Sequence, residues 1–430
     1  MTGRREHPPA TSVHAPLHLP SWRDRAVLGV VLPAFAAGFG QSGVVSALGD
    51  VAREFGHVTH GTTLADRAGL SGTVLGVGLA VIRLSSLLAL PLTGLADRLG
   101  RRTMILWTVV LGLGVTVASA FSPGYWWFIA VFALGRPFLS ATNALSQVVA
   151  AEQTGSHDRA KAVALVAAGY GVGVGLTAII HGLASAALGF RGVVALSVVP
   201  LLLVPVIARW VTEPERFEEA EAAPDHPAPV LGAVGPRFRG RLAVVVAVSF
   251  AVAVITGPAN TFVFLYAQNV RHLSGALTAA MVVGAGATGL VGLLVGRWMA
   301  DRLGRRPTGA LGMVGIAVFG AIAYAGGSTA LVLGYVLGVL SGSVLAPAAG
   351  ALVNELFPTA VRASVSGWVL FAGVLGASVG LVVFGAVADA GTRFGVAAVV
   401  TFLPVAALAA LFWCVPETKG REPEDLWPSG

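Results

Sequence analysis

The sequence predicts an all-α membrane protein with about twelve transmembrane helices in two pseudo-symmetric six-helix bundles. Three observations carry this. Only 11% of the 430 residues are charged and 55% are hydrophobic, against about 25% charged in an ordinary soluble domain. Apolar stretches of bilayer-crossing length, about 20 residues, recur along the whole chain. The heptapeptide Ala-Asp-Arg-Leu-Gly-Arg-Arg stands twice, at Ala96–Arg102 and at Ala300–Arg306, each copy between two such stretches. Two identical basic turns about half a chain apart make the protein two copies of one unit.

The spans read, in order, 26–48, 69–93, 104–121, 125–150, 162–187, 192–209, 242–266, 275–298, 308–326, 329–352, 364–388 and 395–415. The first comes after a polar, Pro- and His-rich start that has no short apolar core, so no cleavable signal peptide is expected. The heptapeptide follows the second and the eighth, and the third and ninth begin after it. After the sixth the apolar pattern breaks: Glu213, Glu215, Glu218, Glu219 and Glu221 are succeeded by four prolines and a basic end. That stretch reads as a flexible, solvated linker. The organisation is a tail at 1–25, a bundle at 26–212, a linker at 213–240, a second bundle at 241–416 and a tail at 417–430. Gly-rich runs, such as Gly169 to Gly175 and Gly284 to Gly296, suit close helix crossings.

The net charge of +7 does not mark a nucleic-acid binder, because the basic residues gather at alternate connections. Arg23 and Arg25, Arg98 to Arg102, Arg159 and Lys161, Arg237 to Arg241, Arg302 to Arg306, Arg362, and Lys419 and Arg421 share one side, while Arg53, Arg67, Arg191, Arg271 and Arg393 are spread over the other. Positive charge stays cytoplasmic during insertion, so both termini and both repeated turns are expected in the cytoplasm of a multi-pass cell-membrane protein. The single cysteine, Cys414, allows no intramolecular disulfide and no thiolate metal site. His57 and His60 read as surface.

The repeat extends past the heptapeptide. Glu152 and Arg159 come after the fourth span as Glu355 and Arg362 come after the tenth; Pro214-Glu215 and Pro416-Glu417 close the sixth and twelfth; Arg191 and Arg393 precede them. On these residues the chain resembles the major facilitator superfamily over its whole length. The two turns resemble that family's loop motif between helices 2 and 3 and between 8 and 9. Asn354-Glu-Leu-Phe-Pro-Thr-Ala-Val-Arg362, with Gly367, resembles the segment after helix 10. Pro416-Glu-Thr-Lys-Gly420 resembles the closing motif of the sugar-porter branch and its metabolite-symporter relatives. Thr93 and Arg297 replace the glycine that opens the loop motif. Ala253 and Val254 stand where sugar porters carry paired glutamines in helix 7. Gly257, Asn260 and Tyr266 echo the remainder of that helix motif, but the missing glutamines point away from a sugar.

A carboxylate at the end of its own helix is badly placed for that helix's dipole and well placed to face the N-terminus of a neighbour. The resemblance implies that Asp97 meets the start of helix 11 near Ser364, and Asp301 the start of helix 5 near Ala162, when the protein is closed to the cytoplasm. Arg98, Arg101, Arg302 and Arg305 would then pair with Glu152, Glu355 and Glu417, with Arg159 and Arg362 beside them. Such a network is a latch that breaks when the cavity opens inward. The charges also set topology and tie loops, and both readings stand.

Arg83 and Arg136 lie near mid-membrane in helices 2 and 4, where an ionised side chain is costly and seldom faces lipid. Arg136, Ser140, Asn143 and Gln147 fall at i, i+4, i+7 and i+11, one polar stripe on an apolar helix. Tyr170, Thr177 and His181 do the same in helix 5. Gln41 in helix 1, Asn260 in helix 7 and Trp368 in helix 11 complete the candidate solute-binding set. No Asp or Glu lies in the middle of any span, so two uncompensated guanidinium groups call for an anion, favouring a carboxylate substrate held by Arg83 and Arg136. The competing reading is structural: Arg136 bonding helix 1 or backbone carbonyls, Arg83 reaching toward the outer face. His181 reads as a helix–helix hydrogen bonder before it reads as a proton carrier.

These features together indicate a secondary transporter of a small organic solute, favouring carboxylate uptake with protons, acting as a monomer in the bilayer without cofactor or metal. Export of drug-like compounds is the alternative, and a non-transporting sensor on the same scaffold a third. No enzyme is expected, since no acid, base or metal groups converge; no phosphate-binding loop is present for ATP-driven transport.

Overall fold

The computed structural model describes residues 25–58, 66, 68–154, 158–213, 231–390, 394–421 and 426–427. The tail before Arg25, most of the linker, part of the C-terminal tail, and Arg23, His60, Arg67 and Arg393 lie outside the described residues. In lipid every backbone N–H and C=O must be satisfied within the protein, and helices do this segment by segment. The chain accordingly forms α1 (Arg25–Ser46), α2 (Gly72–Leu99), α3 (Arg101–Ser119) and α4 (Tyr125–Gln153) in the first bundle. In the second it forms α7 (Pro236–Val270), α8 (Gly275–Arg302), α9 (Arg305–Ala325), α10 (Ser328–Leu356), α11 (Thr359–Asp389) and α12 (Phe394–Cys414).

Spans five and six are continuous. The helical run Arg159–Trp210 breaks at Gly189, whose φ of 59° suits only glycine at low cost. The chain reverses there: Gln153 donates to the Thr212 carbonyl, and Trp210 packs against Gly29 at the start of α1. Both ends of the run therefore lie at one end of the bundle, and it makes two passages, α5 (159–188) and α6 (190–210). α6 is pieced from short helices, Val198–Leu201 and Val204–Trp210. Apolar side chains such as Trp107, Leu134, Leu202 and Leu294 stay exposed on the outside, a surface suited to lipid.

Helix ends are set by local chemistry. Gly100 and Gly304, at φ of 88° and 112°, let the chain turn inside each heptapeptide. Ser71 and Ser274 accept from the backbone N–H three residues on, each at 3.2 Å, and start α2 and α8 alike. Those two serines sit at equivalent places in the repeats. A short helix, Leu48–Phe55, continues α1 beyond its end.

The halves meet along two crossings, α2 with α11 and α5 with α8. At the second, Gly182 and Gly275 touch backbone to backbone: a Cβ built on either would lie 2.4 Å from the other's carbonyl oxygen. Both crossings lie toward the end remote from the heptapeptides. We call that the far end, and the other the arginine end. Gly275→Val should leave the helical content of the detergent-solubilised protein intact while preventing the far end from closing. Thiol labelling of a cysteine placed at Ala276, with Cys414→Ser, would then rise severalfold; unchanged labelling would mean the crossing tolerates a side chain.

Candidate functional site

At the arginine end each half carries the same cluster. Arg101 bonds Glu152 through Nε at 2.7 Å and a terminal nitrogen at 2.9 Å, and pairs with Asp97 at 3.1 Å. Arg305 bonds Glu355 at 3.1 Å and pairs with Asp301 at 3.4 Å. Glu213 accepts from the backbone N–H of Arg101 and Arg102, and Glu417 from those of Arg305 and Arg306. Each glutamate thus neutralises the positive N-terminus of α3 or α9. Burial resists ionisation of Glu417, but four backbone N–H groups, of Arg305, Arg306, Lys419 and Thr418, outweigh it and hold its carboxyl below the ordinary range. A lowered carboxyl contributes stability fully above the ordinary carboxylate range and loses it only as pH falls through the lowered value.

Several expectations change here. Glu417 takes backbone donors, not arginine side chains. Glu213, which the sequence places in a solvated linker, does the same work in the first half. Arg98 and Arg302 enter no ion pair between described residues. Each comes directly after its aspartate, about 100° around the helix from the i,i+4 face that joins aspartate to Arg101 or Arg305. The Arg302 guanidinium lies 5.0 Å over the exposed Trp298 ring. Arg159 and Arg362 donate to the carbonyls of Ala151 and Phe357, closing equivalent loops. Between described residues Asp97 and Asp301 pair within their own halves, with Arg101 and Arg305.

A latch is closed at the far end. Asp389, at the C-terminus of α11, accepts from Gly72 N at 2.6 Å, Thr73 N at 2.7 Å and Thr73 Oγ1 at 2.6 Å. This is a carboxylate on the N-terminus of α2, a helix of the other half. About two turns further along α2, Ser378 donates to the Ala80 carbonyl at 3.5 Å. The only sequence signal for Asp389 is an acid at the very end of a span.

Between the halves Gln41, Arg83 and Arg136 share one small cavity with Leu79, Ile82 and Phe132, and with Thr261 and Leu381 from the second half. Its volume is about 20 Å³, room for roughly one water. Arg136 is 8% exposed and its Nε is buried without a partner. Neither guanidinium enters an ion pair between described residues. The Tyr170 hydroxyl donates to Gln41 Oε1 at 3.1 Å and joins the group. Asn143 and Gln147 continue the Arg136 stripe toward the arginine end, and Asn143 Oδ1 is buried without a partner.

Two of the candidate residues lie elsewhere. Asn260 lines a cavity of about 250 Å³ within the second bundle, where Tyr335 donates to its Oδ1 at 3.2 Å. Tyr335 is the one aromatic of α10, a signal that the candidate set did not use. Trp368 donates through its indole to the Gly232 carbonyl at 3.3 Å and so ties α11 to the linker's end. A third cavity of about 330 Å³, lined by valines of α7 with Leu345, Leu352 and Phe412, is almost wholly apolar. His181 bonds Asp50 at 2.8 Å, a partner hidden in the sequence because Asp50 lies beyond the end of α1.

Twelve passages in two repeats, basic mirrored turns and a polar group between the halves define the architecture. The profile of the Major Facilitator Superfamily matches residues 30–299. The chain belongs to that superfamily. It is accordingly a membrane transporter of small solutes, and the profile of the sugar (and other) transporters matches residues 228–427. A Haemophilus influenzae protein described as a metabolite transport protein is 26% identical over 76% of this chain and 83% of its own. A Cupriavidus pinatubonensis protein named a probable 4-methylmuconolactone transporter is 28% identical over 77% and 79%. The cis,cis-muconate transport protein of Acinetobacter baylyi is 24% identical over 69% and 74%. The fold superimposes on the inward open conformation of the xylose transporter XylE from E. coli with a TM-score of 0.75 at 19% identity, over 94% of this chain and 99% of that one.

Replacing Glu355 by Gln and Arg305 by Gln should be non-additive, with coupling of at least about 0.5 kcal/mol in a double-mutant cycle on thermal stability. Arg98→Gln should add independently to either. Asp389→Asn weakens the far-end latch by about 1–2 kcal/mol, so spin-label distances across the far end should broaden toward longer values.

Proposed function

We propose that this transporter carries a small organic carboxylate into the cell together with protons, by alternating access between its two bundles. The observation that carries the reading is Arg83 and Arg136 on one cavity between the halves, without a carboxylate partner among the described residues. Two guanidinium groups in a low-dielectric place are strongly unfavourable unless an anion joins them. The planar guanidinium fork donates two parallel hydrogen bonds to a carboxylate. The solutes named for two relatives support the same chemistry, cis,cis-muconate being a conjugated dicarboxylate.

In this reading the arginine end faces the cytoplasm, as its excess of arginine favours. The conformation described is then closed outside by Asp389 and open inside. The collapsed arginine cavity suits a state that has released its solute. On reopening outward, Asp97 and Asp301 take up the roles Asp389 plays here. Each chain holds a full pathway, so a monomer suffices. A second reading, export of an amphipathic compound, is supported by the apolar cavity beside Phe412.

Thermal-shift screening of the purified protein across carboxylates, sugars and amphipathic cations separates the two. Stabilisation by cis,cis-muconate should weaken by about 10–100-fold in apparent affinity in Arg136→Ala, as loss of a charged hydrogen-bonded contact of about 1.5–3 kcal/mol requires. Stabilisation by cations that survives Arg83→Ala and Arg136→Ala would instead support export. Asp97→Asn should insert normally and transport poorly; full uptake in proteoliposomes would remove the inner latch from the cycle.

A further inference from the structure

One ionisable pair lies outside both latches and outside the arginine cavity. His181, 1% exposed, places Nε2 at 2.8 Å from Asp50 Oδ2. A carboxylate only accepts, so that nitrogen carries the hydrogen. The other ring nitrogen, Nδ1, is buried and has no hydrogen-bond partner. The Phe264 ring of α7 stands edge-on to the imidazole at 6.2 Å. The pair therefore sits at the seam: Asp50 and His181 belong to the first half and their cover to the second. Next to Asp50, Gly49 faces the side chain of Asn269, also from α7; a Cβ there would lie 2.5 Å from its Oδ1.

No third titratable group bonds to the pair between described residues. Along α7 no charged residue occurs between Arg241 and Arg271, and Arg271 is held by the Tyr266 hydroxyl and the Gly326 carbonyl. In α8 the first charge after its start is Arg297. On the short helix Arg53 is exposed, and Glu54 is engaged by Arg191 of α6. From Asp50 on the short helix the polar stripe runs inward through Ser46 and Ser42 of α1, whose hydroxyls are 3.5 Å apart, to Gln41 at the arginine cavity.

We propose that the Asp50–His181 pair is a proton-binding site, loaded from the outside when the far end opens and emptied when α7 closes over it. With the far end closed, a proton on Nδ1 would be a buried N–H without an acceptor, which costs the full desolvation of that group. Opening withdraws Phe264, lets water reach Nδ1, and leaves an imidazolium beside a carboxylate. Only a proton moves, from water to Nδ1 and back. Protonation thus favours the open far end and the neutral ring the closed one. External acid thereby readies the transporter to accept solute. The site gates solute entry by external pH in the uptake reading above and rests on that reading for its role, though not for its existence.

The test needs no substrate. Spin labels on cysteines introduced at Leu70, just before α2, and at Ala390, just after α11, with Cys414→Ser, report the far-end distance across the Asp389 contact from about pH 8 to about pH 5, the range of an ordinary histidine. The wild-type distance should lengthen as pH falls, with His181→Gln and Asp50→Asn each flattening the response. A wild type without pH response, or the same response in both variants, overturns the proposal. Counterflow of cis,cis-muconate in proteoliposomes then separates the two readings. Absent counterflow with the pH response intact sinks the carboxylate and keeps the site; counterflow without the response does the reverse.

Discussion

A carboxylate set against the N-terminus of a neighbouring helix is the interaction on which this structure depends. It occurs three times among the described residues. Glu213 on α3 and Glu417 on α9 join helices within one half, where each accepts backbone N–H groups beside an arginine cluster. Asp389 on α2 makes the same contact between halves. In a bilayer the unsatisfied N–H groups of a helix start have few other partners. The two contacts within a half hold it together as a rigid body. The one between halves can break without unfolding either, as a rocking machine requires.

The fold is legible in the sequence because bilayer length and the repeated heptapeptide are local signals. A span announces itself in about 20 residues, and the glycine within each heptapeptide turn is needed for its positive φ. What the sequence conceals is relational. Glu213 looks like any other acid in the linker, and only the neighbouring N-terminus of α3 gives it a role. Asp389 and Asp50 lie at span ends, where an acid is ordinarily solvated. Arg98 and Arg302 sit beside the right aspartates but a third of a turn off the face that matters. Gly189 looks like part of a loop, where the chain instead reverses inside a continuous helical run.

The candidate site divides the same way. The cost of a charge in mid-membrane is a one-residue argument, and it singles out Arg83 and Arg136. Their convergence with Gln41 and Tyr170 needs four helices in register, of which a single stripe on α4 gives only part. Asn260 and Trp368 are polar or aromatic in apolar helices, but one pairs with Tyr335 and the other anchors the linker's end. A polar residue in a span reports that it has a partner, not which one.

The repeats are alike in sequence motif yet unlike where the halves meet. α2 and α8 start on equivalent serines, but among the described residues only α2 is met by an acid. At the place in α5 equivalent to Asp389 stand Ser185 and Ala186. The α5–α8 crossing is closed by two bare glycine backbones, the α2–α11 crossing by a charge on a helix end. Two helices in backbone contact can roll on one another with no side chain to repack, whereas a carboxylate must leave its donors before its helix can move. The first crossing is therefore a bearing and the second a clasp. A chain with two clasps would part both sides together; one bearing and one clasp are the parts of a hinged case, which swings about one edge when the other is undone.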